Sequence, residues 1–308
     1  MKHLGFREDI DYTPIGCPSM YAKGKILKQR QINISNESKI AFNLSSITPE
    51  NIMQFAFCQM QNYKNHYLVE QNQDELKLLF YGSKYHPNKN ASQLLPRDIS
   101  HPLLQENRYH IFINIPTWFN FLHTIDLSIG SKLHGNIAAV LSGCPAIFFP
   151  LDSRMRELAA YHAFPAIVHD AVRPTSTIKE MVEKINLKSH ILQQEQNFQH
   201  FLYFLNKNQI DHIYTYNSDR QEAPLDKLMA QKDYFQVESA LYCKKDELIR
   251  RFEIKNQEQL KTISKLKKKV AKQDAFIRQP IVQYAIEIAN TYPHLKRWIE
   301  KRAGVKQE

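Results

Sequence analysis

The chain has 308 residues, of which 43% are hydrophobic and 23% are charged. These values are ordinary for a globular protein, so they exclude wholesale disorder and allow one large domain or two of usual size. The formal net charge of +10 suits an anionic small molecule, an acidic lipid or nucleic acid, and it does not choose among them. A solvated basic surface explains it equally well.

The cysteines and the N-terminal residues indicate the cellular compartment in which the protein resides. Four scattered cysteines, with no CxxC pair and no histidine at ligand spacing, argue against a zinc site or a disulfide framework. The first residues lack the long apolar core of a signal peptide, and the apolar run over 137–151 is broken by Ser142, Gly143 and Pro145. We therefore predict a cytoplasmic protein, with peripheral contact at the inner membrane face as an added possibility.

Regular patterning begins near Lys39. Residues 1–37 are polar and turn-rich, and their one compact signal is Gly-Cys-Pro-Ser at 16–19. The pattern then predicts a strand over 40–44, a helix over 50–63, a strand over 67–70, a short helix over 74–81 and a long polar loop over 82–107 that carries Pro87 and Pro96.

Strands and helices alternate in the following hundred residues. The predicted strands lie at 109–113, 126–129, 146–149 and 166–168, and the predicted helices at 116–123, 135–141, 155–162, 178–185 and 192–205. This alternation predicts an α/β fold, with a single parallel, right-handed Rossmann-like sheet domain over residues 38–206.

A basic helical tail follows a polar linker over 207–243. One helix is predicted over 244–278, and a second, amphipathic one over 281–302 contains Trp298. Apolar residues fall on a- and d-type heptad positions of the first helix, and Asn256, Gln259 and Gln273 interrupt them. The apolar positions are Ile249, Phe252, Ile263, Leu266, Val270 and Ile277. The tail over 244–308 is open to three interpretations: packing on its own domain, pairing with a second copy through 244–278, or contact with an anionic membrane.

A cationic turn between a strand and a helix is the most informative segment. Strand 126–129 runs into Ser131, Lys132, Leu133, His134 and Gly135, and a helix opens there. Helix N–H groups, the helix dipole and basic side chains favour phosphate or carboxylate at such a point, and a glycine lets the ligand approach. His134 can also transfer a proton near neutral pH, although a single histidine after a strand is more often structural.

A second polar turn ends the neighbouring strand. Arg154 can hold an oxyanion with two hydrogen bonds. Asp152 can orient His134 or accept a sugar hydroxyl, and it can equally cap the next helix. Glu157 is expected on the first turn of that helix, where the dipole favours a carboxylate. Together the two turns predict an anion pocket at one rim of the sheet.

The run SKLHGNIAAVLSGCPAI, followed by DSRMREL, resembles the C-terminal half of the polysaccharide pyruvyl transferases. The segments at 16–19, 69–71 and around Trp118 resemble the same family, and the similarity extends over roughly 1–206. Members resemble two-domain GT-B proteins and transfer the enolpyruvyl unit of phosphoenolpyruvate to a sugar diol as a ketal. The resemblance implies that Leu133 and His134 contact phosphoenolpyruvate. Lys132 replaces the usual arginine, which keeps the charge and loses the planar fork.

The resemblance implies acid–base catalysis. His134 is the candidate acid or phosphate partner, and Lys132 and Arg154 would neutralise phosphate and carboxylate. The donor carries its own leaving group, so no metal or redox cofactor is expected. Only one α/β domain is visible, so the chain is expected to supply one half of such an enzyme, with the acceptor side missing or provided by another polypeptide.

Two alternatives remain. The chain can be a GT-B-like glycosyltransferase that uses a nucleotide sugar, with Asp152 and Glu157 holding hydroxyls. It can instead be a non-catalytic remnant whose helical tail binds a partner or a membrane. Specific nucleic-acid binding is not expected, because the lysines are not interleaved with stacking aromatic residues.

Overall fold

The structure is a computed structural model that describes residues 4–85, 92–215, 224–292 and 294. Contacts divide the chain into two compact units, Met1–Cys243 and Lys244–Glu308. No helix in the described part of the chain is both long and apolar enough to cross a membrane.

A five-stranded, fully parallel sheet organises the first unit. Its strands are β1 (Lys39–Asn43), β2 (Asn65–Glu70), β3 (Tyr109–Ile111), β4 (Leu127–Gly130) and β5 (Ala146–Phe148). Their spatial order is β3-β2-β1-β4-β5. The chain therefore builds the sheet outward from β1 in one direction and then crosses over to β4 on its other side. The predicted α/β, Rossmann-like parallel sheet is confirmed.

The predicted strand at 166–168 is wrong. Only Ala166 forms an isolated bridge, to Phe148 of β5. The Ile167 N–H donates to the Phe148 carbonyl, and Val168 then caps a 3-10 helix at His169–Ala171. The segment starts after Pro165 and turns away within three residues, so it is too short to extend the ladder.

Helices cover both faces of the sheet. Those of the first unit are α1 (Glu50–Asn62), α2 (Gln73–Tyr81), α3 (Pro102–Gln105), α4 (Ile115–Leu122), α5 (Leu133–Leu141), α6 (Ser153–Tyr161), α7 (Ile178–Lys184), α8 (Ser189–Lys207) and α9 (Pro224–Met229). Alternate strand residues enter different cores, because successive side chains point to opposite faces. Phe42 packs with α1 in one core and Ala41 packs with α5 in the other. The loop predicted over 82–107 contains α3, and Pro87 lies outside the described residues.

Residues that precede and follow the sheet in the sequence contribute to the cores of the first unit. In the lead-in, Cys17, Met20 and Leu27 are buried in the core beside α5. In the segment predicted as a linker, Val237 is buried in the other core, and the Ala240 N–H donates to the Leu79 carbonyl at 2.8 Å. The part of this segment around Val237 and Ala240 thus packs with the sheet domain.

The second unit is helical. It contains α10 (Lys245–Ile277), a helix of 33 residues, and α11 (Pro280–Thr291). Pro280 ends the first helix and is favoured at the first position of the next, where a missing N–H costs nothing. Of the remainder of the predicted helix 281–302, only Tyr292 and His294 are described, and Trp298 lies outside the described residues.

Candidate functional site at the crossover of the sheet

The carboxyl ends of β1, β2 and β4 meet at the point where the strand order reverses. These strands end at Asn43, Glu70 and Gly130, and each is buried. Open α/β sheets bind their ligands outside such ends, in the crevice at the crossover. The turn after β4, Ser131–Lys132, leads from this point straight into α5.

Asn43 holds that turn in place. Its carbonyl accepts hydrogen bonds from the Ser131 N–H at 2.9 Å and the Lys132 N–H at 3.2 Å. Its side chain donates to Ser128 Oγ at 2.6 Å, within a buried network that includes Asn136. A Cβ at Gly130 would lie 2.1 Å from the Asn43 carbonyl oxygen, so only glycine fits there. The first two N–H groups of the predicted anion pocket are therefore already used within the protein.

Three further residues predicted to contact substrate also build the turn. The Ser131 hydroxyl lies 2.7 Å from the Thr48 hydroxyl, and both are buried. Leu133 is buried in the core beside α5. At Gly135 a Cβ would lie 2.3 Å from Asn43 Oδ1, so the missing side chain makes room for protein atoms and does not open a path for a ligand.

Lys132 forms a buried ion pair with Glu70. Lys132 Nζ lies 2.9 Å from Glu70 Oε2, and the two side chains are 9% and 1% exposed. The groups are in contact but are not aligned for a hydrogen bond. Burial raises the pKa of Glu70 to about 7, although Lys132 acts in the opposite sense. Lys132, which was predicted to neutralise the phosphate and carboxylate of a ligand, thus has Glu70 as its ion-pair partner in the structure.

His134 is the exposed member of the turn. It occupies the second position of α5, near the thiol of Cys17. Interaction with that thiol raises the pKa of His134 above its ordinary value. Burial acts to raise the pKa of Cys17, but His134 and Ser19 together lower it.

Cys17 is fixed by its backbone. Its N–H donates to His162 Nε2 at 2.8 Å. Burial lowers the pKa of His162 to about 4, so that ring is neutral near pH 7 and its nitrogen can accept. The motif Gly-Cys-Pro-Ser at 16–19 is visible in the sequence, but nothing local to it shows that its thiol reaches His134.

The second predicted turn lies beside the first. Phe149, which follows β5, donates its N–H to the Gly130 carbonyl at 2.9 Å. Arg154 is exposed, and its charge acts to lower the pKa of His134, which places the guanidinium within electrostatic range of the imidazole. The two turns thus converge on one rim of the sheet.

Asp152 and Glu157 occupy positions on α6 itself. Asp152 Oδ1 accepts the Met155 N–H at 2.7 Å, so this carboxylate caps the helix, as one of the two interpretations held. Glu157 is exposed and is the fifth residue of α6, so its expected place on the first turn is wrong. The dipole therefore has little influence on Glu157.

The N-terminus of α5 adds donors to the rim. The backbone N–H groups of Leu133, His134 and Gly135 have no hydrogen-bond partner within the described parts of the chain. Such groups at the positive end of a helix favour an anion. In the described ranges no three His, Cys, Asp or Glu side chains are grouped to hold a metal ion.

The family model for polysaccharide pyruvyl transferase matches residues 1–153. Residues 1–153, just under half of the chain, are therefore similar to this family. This pyruvyl transferase segment contains all five strands, Cys17, and the turn with His134, and it ends one residue before Arg154. The predicted resemblance is confirmed over this half of the chain.

Solved structures were also compared. A glycotransferase of kitacinnamycin is 12% identical with a TM-score of 0.31, and the match covers 60% of this chain and 48% of that one. The glycosyltransferase SnogD from Streptomyces nogalater is 14% identical with a TM-score of 0.30, covering 58% and 46%. The likeness is too small to carry an argument, and this chain spans about half the length of those proteins. A search of curated proteins found no significant match.

The pyruvyl transferase segment contains three groups at the rim that sequence reasoning missed. Glu70, Asn43 and Cys17 come from distant parts of the chain and meet the 131–135 turn only in the folded sheet. The order of the strands would have indicated the first two, because β1 lies between β2 and β4.

Proposed function

We propose that this chain binds phosphoenolpyruvate at the rim formed by the 131–135 turn and the start of α6, as the donor side of a polysaccharide pyruvyl transferase. The family match over 1–153 is the observation that carries the proposal. The exposed His134, the exposed Arg154 and the unpaired N–H groups of α5 support it. The acceptor is a sugar diol of a surface polysaccharide.

Each rim group has a task that its position allows. Arg154 and the helix N–H groups bind the phosphate and carboxylate of the donor, because both are anionic and accept several hydrogen bonds. Lys132 acts indirectly, since its ion pair with Glu70 supports the turn from behind. Asp152 keeps the first turn of α6, and with it Arg154, in position.

The proposed reaction conserves atoms without a cofactor. His134 gives a proton to the methylene carbon of the donor, and a sugar hydroxyl forms a C–O bond at the neighbouring carbon. The first hydroxyl returns its proton to His134. The second hydroxyl then forms another C–O bond there as the carbon–oxygen bond to phosphate breaks, and its proton leaves with the phosphate. A pKa raised by Cys17 keeps more of the His134 imidazole protonated near pH 7, which suits a general acid.

Ligand binding to the full chain tests the donor assignment without requiring an acceptor. Calorimetry with phosphoenolpyruvate, inorganic phosphate and a nucleotide sugar would be run on the parent protein and on Arg154→Ala. We expect phosphoenolpyruvate to bind and Arg154→Ala to weaken it about ten- to a hundredfold, the usual cost of a lost hydrogen bond to a charged group.

The control is Arg156→Ala, which removes an exposed arginine two residues along the same helix. It should bind phosphoenolpyruvate like the parent. Binding of the nucleotide sugar and not of phosphoenolpyruvate would replace the proposal with the glycosyltransferase alternative. Binding of inorganic phosphate alone, or equal loss in the two variants, would also overturn it.

A further inference from the structure

The long helix α10 presents an uncovered apolar row. From residue 256 to 280 every residue is exposed. Among them Leu260, Ile263, Leu266, Val270 and Ile277 are 46–65% exposed. A helix gains most of its stability in proteins by packing an apolar face, so a row of this length indicates a partner.

The row has the order of a two-stranded coiled coil. The a positions are Ile249, Asn256, Ile263, Val270 and Ile277, and the d positions are Phe252, Gln259, Leu266 and Gln273. Apart from Asn256, every a residue is β-branched, and β-branched residues at a with leucine at d favour parallel dimers. Leucine occupies d at Leu266, whereas Gln259 and Gln273 are polar residues at that position. An asparagine at a single a position also specifies register and dimeric state, at some cost in stability.

The charges beside this row complement those of a second, identical helix. In a parallel pair a g residue faces the e residue five positions later on the partner. Lys269 at g would face Asp274 at e, and the symmetry of the pair makes this contact twice. The other g–e combinations within α10 are Leu248 with Glu253, Lys255 with Leu260, and Thr262 with Lys267, so none brings like charges together.

The remaining lysines of this region do not oppose the pairing. Lys261 and Lys268 lie at f positions, and Lys265 and Lys272 lie at c, all away from the a/d row. Charges on the outer faces of two helices are more than a Debye length of about 8 Å apart and are largely screened at physiological salt. We propose that α10 pairs in parallel with α10 of a second copy of this chain, with Lys269 of each copy facing Asp274 of the other.

Sedimentation of the full chain at physiological salt tests the pairing. We expect the mass to rise with concentration from one copy to two. Lys269→Glu and Asp274→Lys each replace two attractions with two repulsions, so each should weaken association about tenfold. The double variant, and also an equal mixture of the two single variants, should restore it because opposite charges face each other again.

The control is Lys268→Glu, which changes the net charge as much as Lys269→Glu but lies at an outward position. It should associate like the parent. Flotation with anionic vesicles separates the pairing from attachment to a membrane, because Asp274→Lys makes the helix more basic and would strengthen membrane binding. The proposal would be overturned if the parent chain stayed monomeric or formed a trimer. It would also be overturned if Lys269→Glu and Lys268→Glu had equal effects, or if Asp274→Lys associated like the parent while floating more strongly.

Discussion

Replacing Glu70 by glutamine is expected to change how the stability of the protein responds to pH. The carboxyl group has an ordinary pKa of 4.5, and its burial raises this to about 7 in the folded chain despite the nearby Lys132. A carboxyl whose pKa is higher in the folded state stabilises the fold while it is protonated. That contribution is complete below pH 4.5 and is lost as the pH rises through 7.

The size of the effect follows from the shift. A pKa that rises from 4.5 to about 7 corresponds to about 3 kcal/mol of folding free energy, lost between those two pH values. Glutamine has nearly the shape of the protonated acid and does not titrate. The Glu70→Gln protein should therefore gain about 3 kcal/mol in stability relative to the parent between pH 4.5 and pH 8.

Urea unfolding at half-unit pH steps measures the difference in stability between the two proteins, and titrating groups distant from Glu70 cancel in it. Glu157→Gln is the matched control, because it makes the same chemical change at an exposed carboxylate. The opposite slope, with Glu70→Gln losing stability relative to the parent as the pH rises, would refute the reasoning. It would mean that attraction to Lys132 exceeds the cost of burying the charge.

Two further predictions concern the same turn. Cys17→Ala should lower the pKa of His134, because the interaction with the thiol that raises it is gone, and an imidazole titration followed by NMR measures this. Cys17→Ser, whose hydroxyl oxygen can still accept from the protonated imidazole, should lower it less, and an unchanged pKa in both variants would contradict the interaction. Gly135→Ala should destabilise the fold by about 1–3 kcal/mol, because the new Cβ would overlap Asn43 Oδ1. Unfolding by urea that shows no loss would mean that this side chain moves aside freely.

Much of the fold follows from patterns that are local in the sequence. The predicted strand at 126–129 corresponds to β4 at Leu127–Gly130, and the predicted helix at 244–278 to α10. Buried strands read as short apolar runs, and a helix reads as a repeat of about 3.6 residues, so both can be recognised without knowledge of their neighbours. The segment at 166–168 has the same apolar composition as a strand, and only its neighbours in space show that it pairs at one residue.

The candidate site is harder to predict from the sequence, because its charges depend on contacts between residues that are far apart along the chain. Lys132 has the sequence context of a ligand-binding lysine. Its ion pair with Glu70 exists because the end of β2 lies near the turn after β4. His134 is prominent in the motif, whereas the thiol that tunes it comes from the lead-in, which was predicted to be irregular. Asp152 was predictable as a cap, because capping depends only on residues three positions away.

The two pairs at the turn act on its charge in the same direction when the pH changes. As the pH falls through 7, Glu70 takes up a proton and leaves the charge of Lys132 without a counterion behind α5. His134 also gains charge as the pH falls, and Cys17 raises the pKa of that imidazole. A phosphate monoester meanwhile takes up its second proton at about pH 6 and loses part of its negative charge. The rim thus becomes more positive as the ligand becomes less negative. The affinity for the anion should therefore change less with pH than it would if only one of the two charges changed.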